Sequence, residues 1–188
     1  MIPQWAPNIH PLLVHFPIAI LIIAFLFDVV SFFIPGKDNS LKETPISRLA
    51  KGLNPTVVTL LYLVGTVFTL ITYYSGQAAA EGIKLPAGAK EVLHQHSELA
   101  LYTLLFFGFY VTIRLALTWD RDTIKRRLHS GLIIGAFLGL GLLYVTAEHG
   151  GELVYGYGVG TGQLLHPQNK ADTIHPDSSG ASAQKSTK

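Results

Sequence analysis

Four long apolar runs alternate with polar segments along the chain, at residues 12–34, 55–75, 97–118 and 129–149. Each run has about the 20 residues that an α-helix needs to cross the hydrocarbon of a bilayer. The first run has no basic segment before it and no small-residue cleavage site after it, so we expect it to be retained. The pattern predicts an all-α integral membrane protein that folds as a four-helix bundle.

Helix-breaking residues mark the ends of these runs. Pro35 and Gly36 follow the first run, and the glycine-rich stretch GGELVYGYGVGTG at 150–162 is expected to interrupt the fourth helix. Residues 163–188 are polar and poor in hydrophobic side chains, which predicts a mobile C-terminal tail behind a transmembrane domain over 1–162. No internal repeat is recognisable from the sequence.

The distribution of basic residues predicts the topology, because Lys and Arg resist translocation across a membrane. Of the 14 Lys and Arg residues, four lie in the first connection, two in the second, five at the third if Arg114 is counted with it, and three in the tail. We therefore expect the first and third connections to face the cytoplasm and both termini to lie outside. The net charge of only +2 reflects this topology, and we expect lipid rather than nucleic acid as the partner of the surface.

The chain has no cysteine, and its one methionine is the first residue. This composition excludes disulfides, cysteine-ligated iron–sulfur clusters, thiolate zinc sites and the covalent attachment of c-type haem. Any metal or haem in this protein must therefore be held mainly by histidine.

Histidines collect at the predicted outer ends of three spans. The set comprises His10, His15, His94, His96 and His149. One histidine at a membrane interface has an ordinary structural explanation. Five of them at one depth, from three helices, instead indicate a cofactor or metal site, since ligating side chains at membrane depth are candidates for function.

Depth along each helix ranks these histidines as ligands. His15, His96 and His149 are the deepest of the outer set, so we expect the axial pair of a haem to come from them. His94 points about 200° away from His96 on the same helix, which makes His96 the better candidate for the interior. His10 precedes the span as a lead-in residue, either as a second ligand or as a propionate contact, and His10 and His94 would be the ligands of a second outer haem.

The donor set leaves the identity of the bound group open. Zinc or copper suits three or four histidines, whereas haem b needs only an axial pair, which without Met or Cys would be His and His. Gly131, Gly135 and Gly139 share one face of the fourth helix, which is typical of close helix packing and would also make room for a macrocycle.

Two charged residues lie inside the apolar runs. Asp28 in the first run and Arg114 in the third are at a similar depth near the predicted cytoplasmic side. An unpaired charge at this depth is costly, so we predict that the two form a structural ion pair, in preference to a proton path.

Several of these motifs together resemble the bacterial membrane family catalogued as domain of unknown function 2231. The resemblance rests on HPLLVHFPIAI with Asp28, on Gly76, on His96 with Arg114, and on GGELVYGYGVG, and it covers most of residues 8–160. It implies a multi-pass, four-helix domain of the bacterial inner membrane. Some relatives carry this domain beside Rieske or cytochrome c modules, which implies electron transfer with a separate periplasmic or membrane redox protein in the present case.

The sequence therefore supports one leading hypothesis and two rivals. The first is a b-type cytochrome subunit that carries electrons on the periplasmic side, between quinol or a partner complex and an external carrier such as cytochrome c. The second is a non-enzymatic anchor or assembly subunit of a redox complex. The third is a histidine-rich zinc or copper site.

Overall fold

The computed structural model describes residues 9–33, 54–81, 85–118 and 126–160. This part of the chain is entirely helical outside its turns, as the sequence predicts. The helices are α1 (His10–Leu13), α2 (His15–Phe33), α3 (Pro55–Glu81), α4 (Ala89–Thr118) and α5 (Arg126–Tyr155). The predicted tail at 163–188 lies outside the described residues.

These helices provide four segments that are long and apolar enough to cross a membrane, with α1 and α2 forming the first. The spans form a ring in which α2 packs on α3, α3 on α4, α4 on α5, and α5 back on α2. Only 22% of the most apolar stretch of the first span, and 28% of the others, is buried inside the bundle. The remaining apolar surface is what lipid would cover.

A proline explains the contact between the first span and α3. Pro17 has no N–H, so it cannot donate to the carbonyl of Leu13 four residues earlier, where α1 ends. The hydroxyl of Thr72 on α3 donates to that carbonyl instead, over 3.3 Å. The unpaired backbone group thus becomes a tertiary contact between two spans.

The prediction that the fourth helix stops before residue 150 is wrong. Helix α5 continues through Gly150 and Gly151 to Tyr155, and the turns with positive φ come later, at Gly158 and Gly160. Packing overrides the weak helix propensity of glycine here, because a neighbouring side chain occupies the space beside Gly150, as described below.

The bundle is built from two similar helical hairpins, α2–α3 and α4–α5, although no repeat was recognised in the sequence. Positions buried in α2 recur 86 residues later in α4, as with Leu21 and Phe107. Positions buried in α3 recur 74 residues later in α5, as with Val58 and Leu132. The side chains at equivalent positions differ in size, so the repeat is not visible in the sequence. It is visible in the pattern of buried positions.

A glycine contacts the partner helix at equivalent positions of the two hairpins. A Cβ atom on Gly65 of α3 would lie 2.7 Å from Leu21, and one on Gly139 of α5 would lie 2.5 Å from Phe106 and 2.9 Å from Phe107. Gly65 and Gly139 are 74 residues apart, and Leu21 and Phe107 are 86 residues apart. Both hairpins therefore use a bare glycine to bring two helices together.

Candidate functional site

His10 is held against α3 at one end of the bundle, which we call the histidine end. Its Nδ1 lies 3.1 Å from the carbonyl oxygen of Thr72 and 2.9 Å from the hydroxyl oxygen of Ser75. The imidazole packs on Gly76, where a Cβ atom would come within 3.0 Å of its Cε1. The side chain predicted as a lead-in residue is thus fixed inside the fold.

His96 makes the equivalent contacts in the second hairpin. Its Nδ1 lies 2.9 Å from the carbonyl oxygen of Thr146, and its ring packs on Gly150, again 3.0 Å from where a Cβ atom would be. Thr146 and Gly150 are 74 residues after the Thr72 and Gly76 that hold His10. The two histidines are therefore related by the pseudo-twofold symmetry of the bundle.

This arrangement leaves the same nitrogen available on both rings. A carbonyl oxygen only accepts hydrogen bonds, so Nδ1 of each histidine carries the proton in the neutral ring. Nε2 then presents its lone pair, which is the usual arrangement of a metal-binding histidine that is oriented by a backbone carbonyl.

His149 stands beside His96 at the position that Ser75 takes beside His10. Its Nδ1 lies 2.9 Å from the carbonyl oxygen of Val145, one turn earlier on its own helix. The second hairpin therefore carries two imidazoles where the first carries an imidazole and a hydroxyl.

The remaining outer histidines face away from this centre. The side chain of His94 is 68% exposed and lies 3.8 Å from Glu98 on the same helix. His15 is exposed as well. It follows His10 by five residues, which turns it about 140° around the helix axis. A ranking by depth takes no account of this rotation, so it placed His15 above His10. His10 and His96 are therefore the two outer histidines whose Nδ1 lies against a carbonyl oxygen of a neighbouring helix, whereas the sequence ranking favoured His15, His96 and His149.

Three-ligand metal sites of the zinc type are absent from the described residues, since no group of three or more His, Asp or Glu side chains is placed to share an ion. What the histidine end offers is two histidines, one from each hairpin, each oriented by a backbone carbonyl. Histidine is one of the residues that hold haem iron, which takes one or two ligands from a protein.

The opposite end of the bundle holds the predicted ion pair. The two terminal nitrogens of Arg114 each donate to one oxygen of the Asp28 carboxylate, with 3.2 Å for the longer bond. Nε2 of His129 lies 2.9 Å from the carboxylate, so Asp28 has a second residue as its partner besides Arg114. Asp28 and Arg114 are only 1% and 0% exposed, and with His129 they form what we call the buried charge cluster.

Polar and aromatic side chains complete the surroundings of Arg114. Its Nε donates to the hydroxyl of Thr59, and one terminal nitrogen donates to the hydroxyl of Tyr110, 2.9 Å away. The guanidinium lies over the ring of Tyr62, 4.8 Å from its centroid. Sequence analysis missed His129 as a partner of Asp28. Its position at the same end of the bundle as the two charges could have indicated this contact.

The structure and its motifs define a four-span helical membrane protein with a histidine pair at one end and a buried charge cluster at the other. A family model described as predicted membrane protein (DUF2231) matches residues 6–163. The chain belongs to this family, as its sequence motifs indicated. No curated protein and no solved structure matches the chain.

Proposed function

We propose that this protein is a b-type cytochrome subunit in which His10 and His96 are the axial ligands of one haem. The observation that carries the proposal is the equivalence of the two rings. Each is oriented through Nδ1 by a carbonyl of the neighbouring helix, each packs on a glycine, and each keeps Nε2 as the donor atom.

The donor chemistry fits haem better than a simple metal ion. Two neutral imidazoles from different hairpins match an axial pair, whereas zinc would require further ligands that the described residues do not supply. Bound haem would supply one-electron transfer. The protein would orient both imidazoles through the carbonyls of Thr72 and Thr146.

The position of the histidine pair sets the direction of the proposed chemistry. Both ligands lie at the end predicted to face the periplasm, and the opposite end keeps its one described histidine, His129, engaged with Asp28. Electrons would therefore be exchanged on the periplasmic side of a bacterial inner membrane, between quinol or a larger complex and a separate carrier such as a cytochrome c.

A second candidate function is a non-enzymatic anchor or assembly subunit. The observation that favours it is that Nδ1 of His10, His96 and His149 already has a backbone partner. The imidazoles of His10 and His96 would then clamp one helix to another, as the Thr72 hydroxyl does at Leu13. Under this hypothesis the outward His94 and His15 would face a partner subunit.

The experiment that separates these functions is chemical analysis of the intact chain, purified in mild detergent from cells supplied with a haem precursor. The cytochrome hypothesis predicts a reduced-minus-oxidised spectrum of b type and one haem per chain by haemochrome assay. Stoichiometric zinc or copper without haem would establish the metal site instead. A folded protein with neither haem nor metal would contradict the proposal and favour the anchor.

A further inference from the structure

A cleft of about 230 Å³ opens between α4 and α5, in the half of the bundle that holds the buried charge cluster. Its lining is almost entirely apolar: Phe106, Phe109, Tyr110, Ile113, Gly131, Leu132 and Gly135. Phe109 is 70% exposed and Ile113 is 37% exposed. The cleft therefore opens on the surface that lipid covers.

Missing side chains create this space. Nothing lies within 4 Å of where a Cβ atom on Gly131 would be, and one on Gly135 would only touch the ring of Tyr110, at 3.4 Å. Tight helix packing explains Gly139, which has Phe107 against it, but it does not explain Gly131.

The other hairpin shows that these glycines are not required for packing. The positions equivalent to Gly131 and Gly135, 74 residues earlier on α3, hold Val57 and Leu61. The glycine at the true contact is kept in both hairpins, as Gly65 and Gly139. The second hairpin therefore lacks side chains at a place where the first one has them, and it gains a cleft.

A basic residue lies one helical turn before Gly131, which lines the cleft. Arg127 is exposed and lies four residues before Gly131, on the same face of α5, at the end of the basic run Lys125–Arg127 in the sequence. From Arg127 to Gly135 the helix rises about 12 Å. Basic residues beside a groove between membrane helices are typical of sites for anionic lipid headgroups.

We propose that the cleft holds an acyl chain of an anionic phospholipid, whose phosphate pairs with Arg127. The apolar lining would cover the chain, and the guanidinium would distinguish a lipid of net negative charge from a zwitterionic one. This site is separate from the histidine end and does not depend on haem.

The test is native mass spectrometry of the delipidated full-length protein in detergent, titrated with phosphatidylglycerol or with phosphatidylcholine of the same acyl chains. We expect the wild type to retain phosphatidylglycerol about fivefold more strongly, which corresponds to about 1 kcal/mol for one basic contact. Arg127→Gln should reduce this preference to about one. Gly131→Leu should retain less phosphatidylglycerol and less phosphatidylcholine than the wild type does.

Gly141→Leu is the matched control, because Gly141 lies on the same helix, also has nothing within 4 Å of its Cβ position, and does not line the cleft. It should behave as the wild type. Equal retention of the two lipids by the wild type would overturn the proposal, as would equal binding by Gly131→Leu and Gly141→Leu. If Gly131→Leu does not fold, an unchanged preference in Arg127→Gln still overturns it.

Discussion

Asp28 on α2 and Arg114 on α4 occupy equivalent positions of the two hairpins and pair with each other across the centre of the bundle. They are 86 residues apart, as are Leu21 and Phe107, which fill equivalent places in the core. The two helices are diagonal in the ring, so the pair joins one hairpin to the other. The internal repeat thus carries opposite charges at one position, and those charges neutralise each other.

Removing one member of this pair should be more damaging than removing both. Asp28→Asn or Arg114→Gln alone should destabilise the protein by about 3–5 kcal/mol, because the remaining charge is buried without its partner. The double variant Asp28→Asn with Arg114→Gln should lose less than the sum of the two single changes. Thermal unfolding in detergent measures this, and Lys90→Gln serves as the exposed-charge control.

A strictly additive result would contradict the pairing as the source of the stability. If the double variant lost as much as the two single variants together, Asp28 and Arg114 would act independently. Lys90→Gln should leave the unfolding temperature unchanged, since Lys90 is exposed.

The contribution of His129 to the stability of the protein should depend on the Asp28 carboxylate. His129→Ala should cost about 1.5–3 kcal/mol in the wild type, as expected for a hydrogen bond to a charged group. The same change in an Asp28→Asn background should cost clearly less, because the carboxylate that accepts the bond is gone. A double-mutant cycle on unfolding free energies gives the coupling, and a value near zero would remove His129 from the cluster.

Replacing two neighbouring glycines of α5 by alanine should have different effects on the stability of the protein. Gly151→Ala should stabilise the helix by up to about 1 kcal/mol, because alanine is the better helix former and only Tyr155 lies near, at 4.0 Å. Gly150→Ala should lose that gain, because its Cβ would lie 3.0 Å from the ring of His96. Equal unfolding temperatures for the two variants would show that the His96 ring does not depend on Gly150.

The topology predicted from the basic residues is open to direct measurement. Reporter fusions after residue 45 should show a cytoplasmic location, and fusions after Tyr155 should show a periplasmic one. The histidine end would then face the periplasm. A reporter that is active outside when fused after residue 45 would reverse the assignment and with it the side on which electrons are exchanged.

The four spans and the ion pair could be predicted because each rests on a strong local signal. Long apolar runs have few alternatives to membrane helices, and a charge such as Asp28 inside one needs a partner of opposite sign. Arg114 was the one basic residue at the matching depth. His129 was missed as the second partner because depth does not show which face of a helix a side chain occupies.

The histidine pair and the repeat needed the three-dimensional fold. Depth ranked His15 above His10, but the step of five residues from one to the other turns the two rings to different faces. The repeat is carried by burial and by the glycines that contact the partner helix, while residues such as Leu21 and Phe107 share only their place in the core. For the same reason the continuation of α5 past Gly150 could not be predicted from the glycine content.

The most direct test of the proposed function is the haem content of single histidine variants, read from the reduced-minus-oxidised spectrum per folded chain. His10→Ala and His96→Ala should each lose most of the b-type signal, whereas the exposed His15→Ala and His94→Ala should keep it. Membrane insertion and unfolding temperature, measured on the same samples, separate ligand loss from misfolding. Full haem content in folded His10→Ala and His96→Ala, or loss of haem in His15→Ala instead, would contradict the assignment of His10 and His96 as the axial pair.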